Sequence, residues 1–424
     1  MHIILFFCLI SITAGDTLHF TLDKSVDYGL RNNPGIEQLT INLEKSKTHI
    51  GEALSAYYPS LSINGYFAYI SDVPVFEFDG MPIPMGQHRN YSVSVSLQQV
   101  LFAWGKLYNA YKITEIQTEI AELTLRRKQQ EVRYTITDAF YGLLILEEMV
   151  GLSRESLTQL KRHEEAVRKR YKAGLVPQFE LLRSQVQVAN LLQQVIELEN
   201  GLNLAKEGFK LLLGLELDVE FELSGDLKVV EEVYDVDELI NEARENRIEL
   251  KNLKNFERIA DRARGIAGKA MFPALVAGAT YERKKPFSFG GDDWGTNLTF
   301  NVGFQFPIFS GLKTRYQYEE ALLVLREVEL AKENLEKAIT VEVKQAYMNL
   351  QTAKQGIAAA RENVSQAKKA FEIIEKRYRN GLVTNLEYLD TQLVQTQAKT
   401  IYLEALKNYH SARAALYKAI GKEE

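Results

Sequence analysis

Two rhythms of apolar and polar residues run along the chain. The first has period two, the alternation of a half-buried strand. Leu61, Ile63, Gly65, Phe67 and Tyr69 alternate with Ser62, Asn64, Tyr66 and Ala68. Tyr91, Val93, Val95 and Leu97 alternate with Ser92, Ser94, Ser96 and Gln98. A weaker alternation covers Leu275 to Tyr281, and a clean one sets Leu298, Phe300, Val302, Phe304 and Phe306 against Asn297, Thr299, Asn301, Gly303 and Gln305. Each predicted strand is ~9–11 residues, the length that crosses a hydrocarbon layer at a tilt. Aromatic residues gather near the strand ends (Phe76, Phe78, Phe102, Trp104, Phe287, Phe289, Trp294 and Phe309), as rings do at membrane interfaces.

The second rhythm steps by three and four. Leu350, Ala353, Ile357, Ala360, Val364, Ala367, Phe371, Ile374 and Tyr378 form a coiled-coil seam, extended backwards through Val324, Val328, Ala331, Leu335 and Ala338. With no proline from Thr314 to Arg379, the pattern predicts roughly 100 Å of unbroken helix. Its counterpart runs from about Leu107 to Lys172, with Ile113, Ile116, Ile120 and Leu123 on its seam. Gly174 and Gly381 are expected to end these helices, with Leu175 and Leu382 packing back. The return helices begin at once: Thr384 and Glu387 form a capping box, and Pro177 takes the matching first-turn position. Asn33 with Pro34, and Asn246, mark breaks in shorter helices before each strand pair.

The chain is written twice. RKRYKAGLVPQFELLRSQ (168–185) matches EKRYRNGLVTNLEYLDTQ (375–392) at a constant offset of 207, which also relates Phe102 to Phe309, Ala139 to Ala346 and Gly214 to Gly421. Upstream the offset is 214, so the first copy carries 7 extra residues between Pro59 and Phe102, in what should be a loop tip. The predicted organisation is a signal peptide (1–15), a first repeat (16–214; strands about 60–70 and 91–101, tip 171–180), an acidic connector (215–233) with room for a short strand, and a second repeat (234–424; strands about 274–282 and 296–307, tip 378–387). Each repeat reads helix, strand, strand, long helix, tip, helix. The fold class is mainly α with a small membrane β part, and strands and tips are expected at opposite ends of a rod.

Composition narrows the function. A net charge of −5 offers no basic surface for nucleic acid. Ile3 to Ile12 is an apolar core of signal-peptide length, followed by Ala14 and Gly15. The single cysteine, Cys8, lies within it behind Phe7, so neither a lipid anchor nor a disulfide is expected. The 6 histidines lack metal-ligand spacing, and neither a phosphate-binding loop nor a nucleophile elbow is present. Hence no catalytic residue, metal or cofactor is predicted, and an outer-membrane enzyme is the weakest reading. No apolar run is long enough for a membrane-spanning helix.

Four strands cannot close a barrel, and an open edge is not tolerated in lipid. Closure takes roughly eight strands or more, so two chains giving 8 or three giving 12 must pool them. Small polar residues on the other face suggest a wet lumen. A soluble sandwich also alternates, and an isolated surface coiled-coil rod without a pore explains the helices alone.

The two tips, RYKAGLVPQFELLRSQ and RYRNGLVTNLEYLDTQ, together with VLFAWGK and PIFSGLK, resemble the TolC-like outer-membrane efflux protein family from about Phe20 to Gly421. The resemblance implies a homotrimer in the bacterial outer membrane, with a 12-stranded barrel and a periplasmic helical barrel. It would be a passive exit duct in efflux or type I secretion, working with a periplasmic adaptor and an inner-membrane pump. It further implies that Gly174, Leu175, Val176, Gly381, Leu382 and Val383 contact the adaptor. Glu387 and Asp390 would ring the periplasmic entrance, and Tyr378 would latch neighbouring helices when closed. The sequence departs from the pattern where some members carry an arginine after the second tip glycine: Val383 and Thr384 stand there, leaving Arg379 or Arg183 as substitutes, and Glu180 replaces a common aspartate.

Overall fold

A computed structural model describes residues 18–288 and 291–422. The signal segment, Cys8 and Phe289 lie outside them. In chain order the elements are β1 (Leu18–Phe20), α1 (Leu22–Asn32), α2 (Pro34–Ser55), β2 (Ser60–Tyr69), β3 (Val75–Phe78), β4 (Met81–Pro84), β5 (Arg89–Phe102), α3 (Lys106–Lys172) and α4 (Gln178–Leu213). Then follow β6 (Phe221–Leu223), α5 (Val236–Asn246), α6 (Ile248–Gly268), β7 (Ala274–Lys285), β8 (Gly295–Gln305), α7 (Lys313–Arg379) and α8 (Asn385–Ile420). The order two helices, two main strands, long helix, shorter helix thus occurs twice. No helix among the described residues is long and apolar enough to cross a membrane.

The chain divides into two units. One holds residues 41–123 and 251–333 and contains the main sheet. That sheet is antiparallel, in the order β2-β5-β7-β8. Cross-strand partners share a face. Pairs Leu61↔Leu97, Ile63↔Val95, Val95↔Tyr281, Ala279↔Phe300 and Leu275↔Phe304 therefore put most of the apolar residues of the four strands on one side. Ser62↔Ser96, Asn64↔Ser94, Ser96↔Thr280 and Thr280↔Thr299 put hydroxyls and amides on the other. Across that polar face Ser92 Oγ donates to Glu282 Oε1 at 2.8 Å.

Strand ends differ from the pattern-based limits for local reasons. β7 runs on to Lys285 because Lys285 pairs with Tyr91 of β5. β8 stops at Gln305 because the chain then reaches Pro307, which has no N–H for a ladder. The extra residues of the first copy are not a bare loop: β3 and β4 form their own hairpin, in register Val75↔Pro84 to Phe78↔Met81.

The other unit holds the described parts of 1–40, 124–250 and 334–424. β1 pairs in parallel with β6 of the connector. One core gathers Phe20, Val26, Ile136, Phe140, Phe209, Leu213 and Phe221, and a second gathers Leu239, Ile240, Ile339, Val343, Leu350, Tyr409, Leu416 and Ile420. The breaks between paired helices are locked onto the return helices. Asn33 Nδ2 donates to the Leu212 carbonyl at 2.9 Å, and Arg247 Nη1 donates to the Ala419 carbonyl at 3.1 Å. The two acceptors are again 207 apart. Gly214 closes α4 at φ 75°, and a Cβ there would sit 2.3 Å from the Asn32 carbonyl oxygen, so only glycine serves.

The seam of α7 needs one correction. From Leu350 to Tyr378 its positions are buried or half-buried, but Val324, Ala331 and Ala338 are exposed. The buried stripe is Ile339, Val343, Ala346 and Leu350, one residue out of step with the backward extension. Twelve residues separate Ala338 from Leu350, a spacing that alternating steps of three and four cannot make, so the backward extension starts out of phase with the seam.

Candidate functional site

Both tips are built by the same backbone device. α3 is closed by Gly174 (φ 69°), two residues past its end, and α7 by Gly381 (φ 72°) in the same position. Gly174 N–H bonds the Tyr171 carbonyl and Leu175 N–H the Arg170 carbonyl, while Gly381 and Leu382 repeat this with Tyr378 and Arg377. These are paired Schellman closures. The expected packing of the next leucine fails at both: Leu175 is 74% and Leu382 66% exposed. Val176 and Val383 are half-buried.

The return helices start differently. Thr384 accepts from Glu387 N–H, and Glu387 accepts from Thr384 N–H at 2.7 Å, a complete capping box. Pro177 is the N-cap itself, not the first helical residue, and offers no side-chain bond. Proline has the required φ there but no side-chain acceptor.

The proposed gate residues occupy different surroundings. Glu387 and Asp390 are exposed, one helical turn apart. The Thr384 backbone N–H, then its hydroxyl, hold the Glu387 carboxyl below the usual range. Tyr378 instead is buried with Leu160, Phe371, Tyr388 and Leu389. Its hydroxyl makes no well-aligned hydrogen bond, and the Arg170 guanidinium, 4.9 Å over its ring, is the donor beside it. Of the two substitute arginines, Arg379 pairs with Glu375 at 2.7 Å. Sequence reading passed over Arg170, although it precedes the first tip's tyrosine directly.

It also passed over a buried polar knot that joins the hairpins. His163 Nε2 lies 2.6 Å from Asn385 Oδ1. Asn385 Nδ2 donates to the Glu180 carbonyl at 3.2 Å and to Ser184 Oγ at 3.1 Å. The His163 ring stacks on Tyr388 at 4.0 Å. Thus α3, α4 and α8 meet on one amide. A histidine in a helical pattern, with its partner 222 residues away, carries no local signal.

At the sheet the apolar face is bare, with Ile63 at 72% and Phe300 at 75% exposure. Aromatic groups mark both strand ends. At one, Trp104 lies 5.0 Å from Phe102 and 5.1 Å from Phe272, its Nε1–H bonded to the Pro273 carbonyl. At the other, Tyr91 lies 5.0 Å from Phe67 and 6.0 Å from Trp294. β2 and β8 are free edges.

Comparison with known proteins agrees with this geometry. The family model described as outer membrane efflux protein matches residues 27–215 and again 239–422. Outer membrane protein TolC of Escherichia coli strain K12 is 20% identical over 402 residues, covering 92% of this chain and 80% of that protein. Outer membrane efflux protein BepC of Brucella suis is 20% identical over 415 residues, covering 97% and 87%. The crystal structure of the Campylobacter jejuni CmeC outer membrane channel superposes with a TM-score of 0.79 at 17% identity, over 94% of this chain and 85% of that one, a likeness of fold. This chain belongs to the outer membrane efflux protein family. Its place is the outer membrane, reaching into the periplasm, and its function is that of an efflux channel and not of a coiled-coil rod without a pore. Members of the family are channels and not enzymes.

Proposed function

We propose that three copies of this chain pool their sheets into one 12-stranded barrel that forms a passive duct, itself without enzymatic activity. The observation that carries the pooling is the main sheet, which has one apolar and one polar face and two unpaired edges, β2 and β8, and membership of the outer membrane efflux protein family supports the count of three. Free edges in hydrocarbon leave backbone groups unsatisfied, so β2 of one copy pairs with β8 of the next. The apolar side then meets lipid and the Ser, Asn, Thr and Gln side lines water.

The exposed tips support a docking role. Leu175 and Leu382, with Val176 and Val383 beside them and Gly174 and Gly381 shaping the turns, offer apolar contacts to a periplasmic adaptor, which links the duct to an inner-membrane pump. Glu387 and Asp390 face solvent on α8, where three copies would ring the entrance and bind cations. The Tyr378 hydroxyl, with only Arg170 beside it as a donor, is suited to a latch completed by a neighbouring copy.

The test is single-channel conductance in planar bilayers, with native mass measured on the detergent-extracted protein. A trimer that conducts, blocked by hexamminecobalt(III) and less so after Glu387→Ala with Asp390→Ala, is the expected result. A water-soluble monomer, or intact trimers without conductance, would refute the duct. Unchanged block in the double variant would refute the acidic entrance alone.

A further inference from the structure

The contacts between α3 and α8 contain two reciprocal ring stacks. His163 of α3 stacks on Tyr388 of α8 at 4.0 Å, with an interplanar angle of 11°. His410 of α8 stacks on Tyr141 of α3 at 3.8 Å and 12°. The tyrosine and histidine stand 22 residues apart on each helix, so two antiparallel helices meet twice with the same pair, exchanged. The repeat offset does not explain this: positions 348, 370, 181 and 203 are Met, Ala, Leu and Asn. The feature arose on this helix pair alone.

Both imidazoles are buried without an anionic partner. His163 is 7% and His410 3% exposed. The amide of Asn385 gives its two N–H bonds to Glu180 and Ser184, which leaves Oδ1 to accept from His163 Nε2–H. Around His163 the ionisable groups are Arg170 on α3, Tyr378 and Glu375 on α7, Tyr388 on α8 and Glu180 on α4, and Glu375 is already paired with Arg379. Around His410 they are Tyr141 on α3, Tyr409 and Arg413 on α8, and Asp138 on α3, which takes the Ser411 hydroxyl bond. Neither His410 ring nitrogen makes a well-aligned hydrogen bond, and the Leu227 backbone of the connector is the one group beside it that favours the charged ring, against burial and Arg413.

We propose that the two His–Tyr stacks make the α3–α8 contact a proton-sensitive seam, which acid loosens from the tip and so opens the periplasmic entrance. This rests on the reading above that the tips guard the duct. An added proton puts an unpaired cation into a ring stack beside Arg170 or Arg413. The tyrosine faces return less than the lost hydration, so the charged rings favour a separated, wetted seam. Burial, with Arg170 acting the same way and Asn385 opposing, holds His163 below the ordinary value; burial pushes His410 down to about 4. Both rings are therefore neutral at neutral pH. A ring that separates regains an ordinary affinity for protons, so the closed seam weakens as pH falls below about 6.5.

Conductance of the trimer recorded from pH 7.5 to 5.0 tests this. The wild type should open several-fold in acid. His163→Gln, whose amide can donate to Asn385 but does not titrate, should keep only the part of the acid response that His410 supplies, and His163→Gln with His410→Gln should be flat throughout. Asn385→Ala should be open at every pH. Hydrogen exchange on the wild type, corrected for intrinsic rates, should show acid-induced loss of protection centred on residues 160–185 and 385–392, a readout that needs no variant to fold. A wild-type acid response retained in the double glutamine variant, or protection unchanged by acid, overturns the seam. If Asn385→Ala conducts like the wild type and the Glu387→Ala, Asp390→Ala pair leaves cation block intact, the gate reading itself has failed. If only the block changes as expected, the seam alone has failed.

Discussion

The two tips share a backbone and differ in almost everything attached to it. Each ends a 67-residue helix in the same Schellman turn and exposes one leucine. Yet Tyr171 stands 38% exposed while Tyr378, its counterpart, is 8% exposed inside an aromatic cluster. The first return helix starts from a proline without a side-chain cap, the second from a capping box. Turn geometry is the same in both repeats, whereas packing and capping are concentrated at the second tip. A turn is specified by a few adjacent residues, so it survives copying; a packed cluster depends on neighbours that the copies do not share.

Truncating the two tyrosines should break the symmetry most. Tyr378→Ala removes a buried ring and should cost about 3 kcal/mol, against less than ~1 kcal/mol for Tyr171→Ala, read as protection from hydrogen exchange at each tip. Acid should act on a ring that has no counterpart in the first copy. His410 is held at about 4 by burial, against an ordinary value near 6.5. Its stabilising contribution is full above about 6.5 and lost on the way down to its folded value, roughly 2 kcal/mol between pH 7 and 5. Thermal unfolding of His410→Phe should show a correspondingly shallower pH dependence. Replacing Gly174 or Gly381 by alanine forces a left-handed residue and should cost about 1–2 kcal/mol at both sites alike; unequal costs would show that the shared turn is not energetically shared. The smallest contrast is capping: Thr384→Ala should cost about 1 kcal/mol, and Pro177→Ala a few tenths, by the same exchange measurement.

Most of the architecture was legible in the residues because it is local. The strand alternation placed the apolar and polar faces of the sheet, Gly174 and Gly381 marked the turns, and Thr384 with Glu387 marked a cap that forms as expected. The α7 seam slipped because its backward extension is out of phase with the stretch from Leu350 onward. The exposure of Leu175 and Leu382 was misread because the contact that often accompanies this turn needs a partner surface, not just a leucine. The His163–Asn385–Ser184 knot left no trace in the sequence, since three helices must be in place before those residues meet. The roles proposed for Glu387, Asp390 and Tyr378 would depend on further copies of the chain, which the spacing of residues in one sequence does not describe.

The β3–β4 hairpin adds a practical consequence. It pairs only with itself among the sheets of the described residues, and its turn, Asp79 and Gly80, already runs with positive φ and open space around the glycine. Nothing in the main sheet relies on its length, as the second copy lacks the 7 residues altogether. A short peptide tag spliced between those two residues would therefore display itself without disturbing the ladder below, giving a handle for asking which side of the membrane this loop faces in living cells.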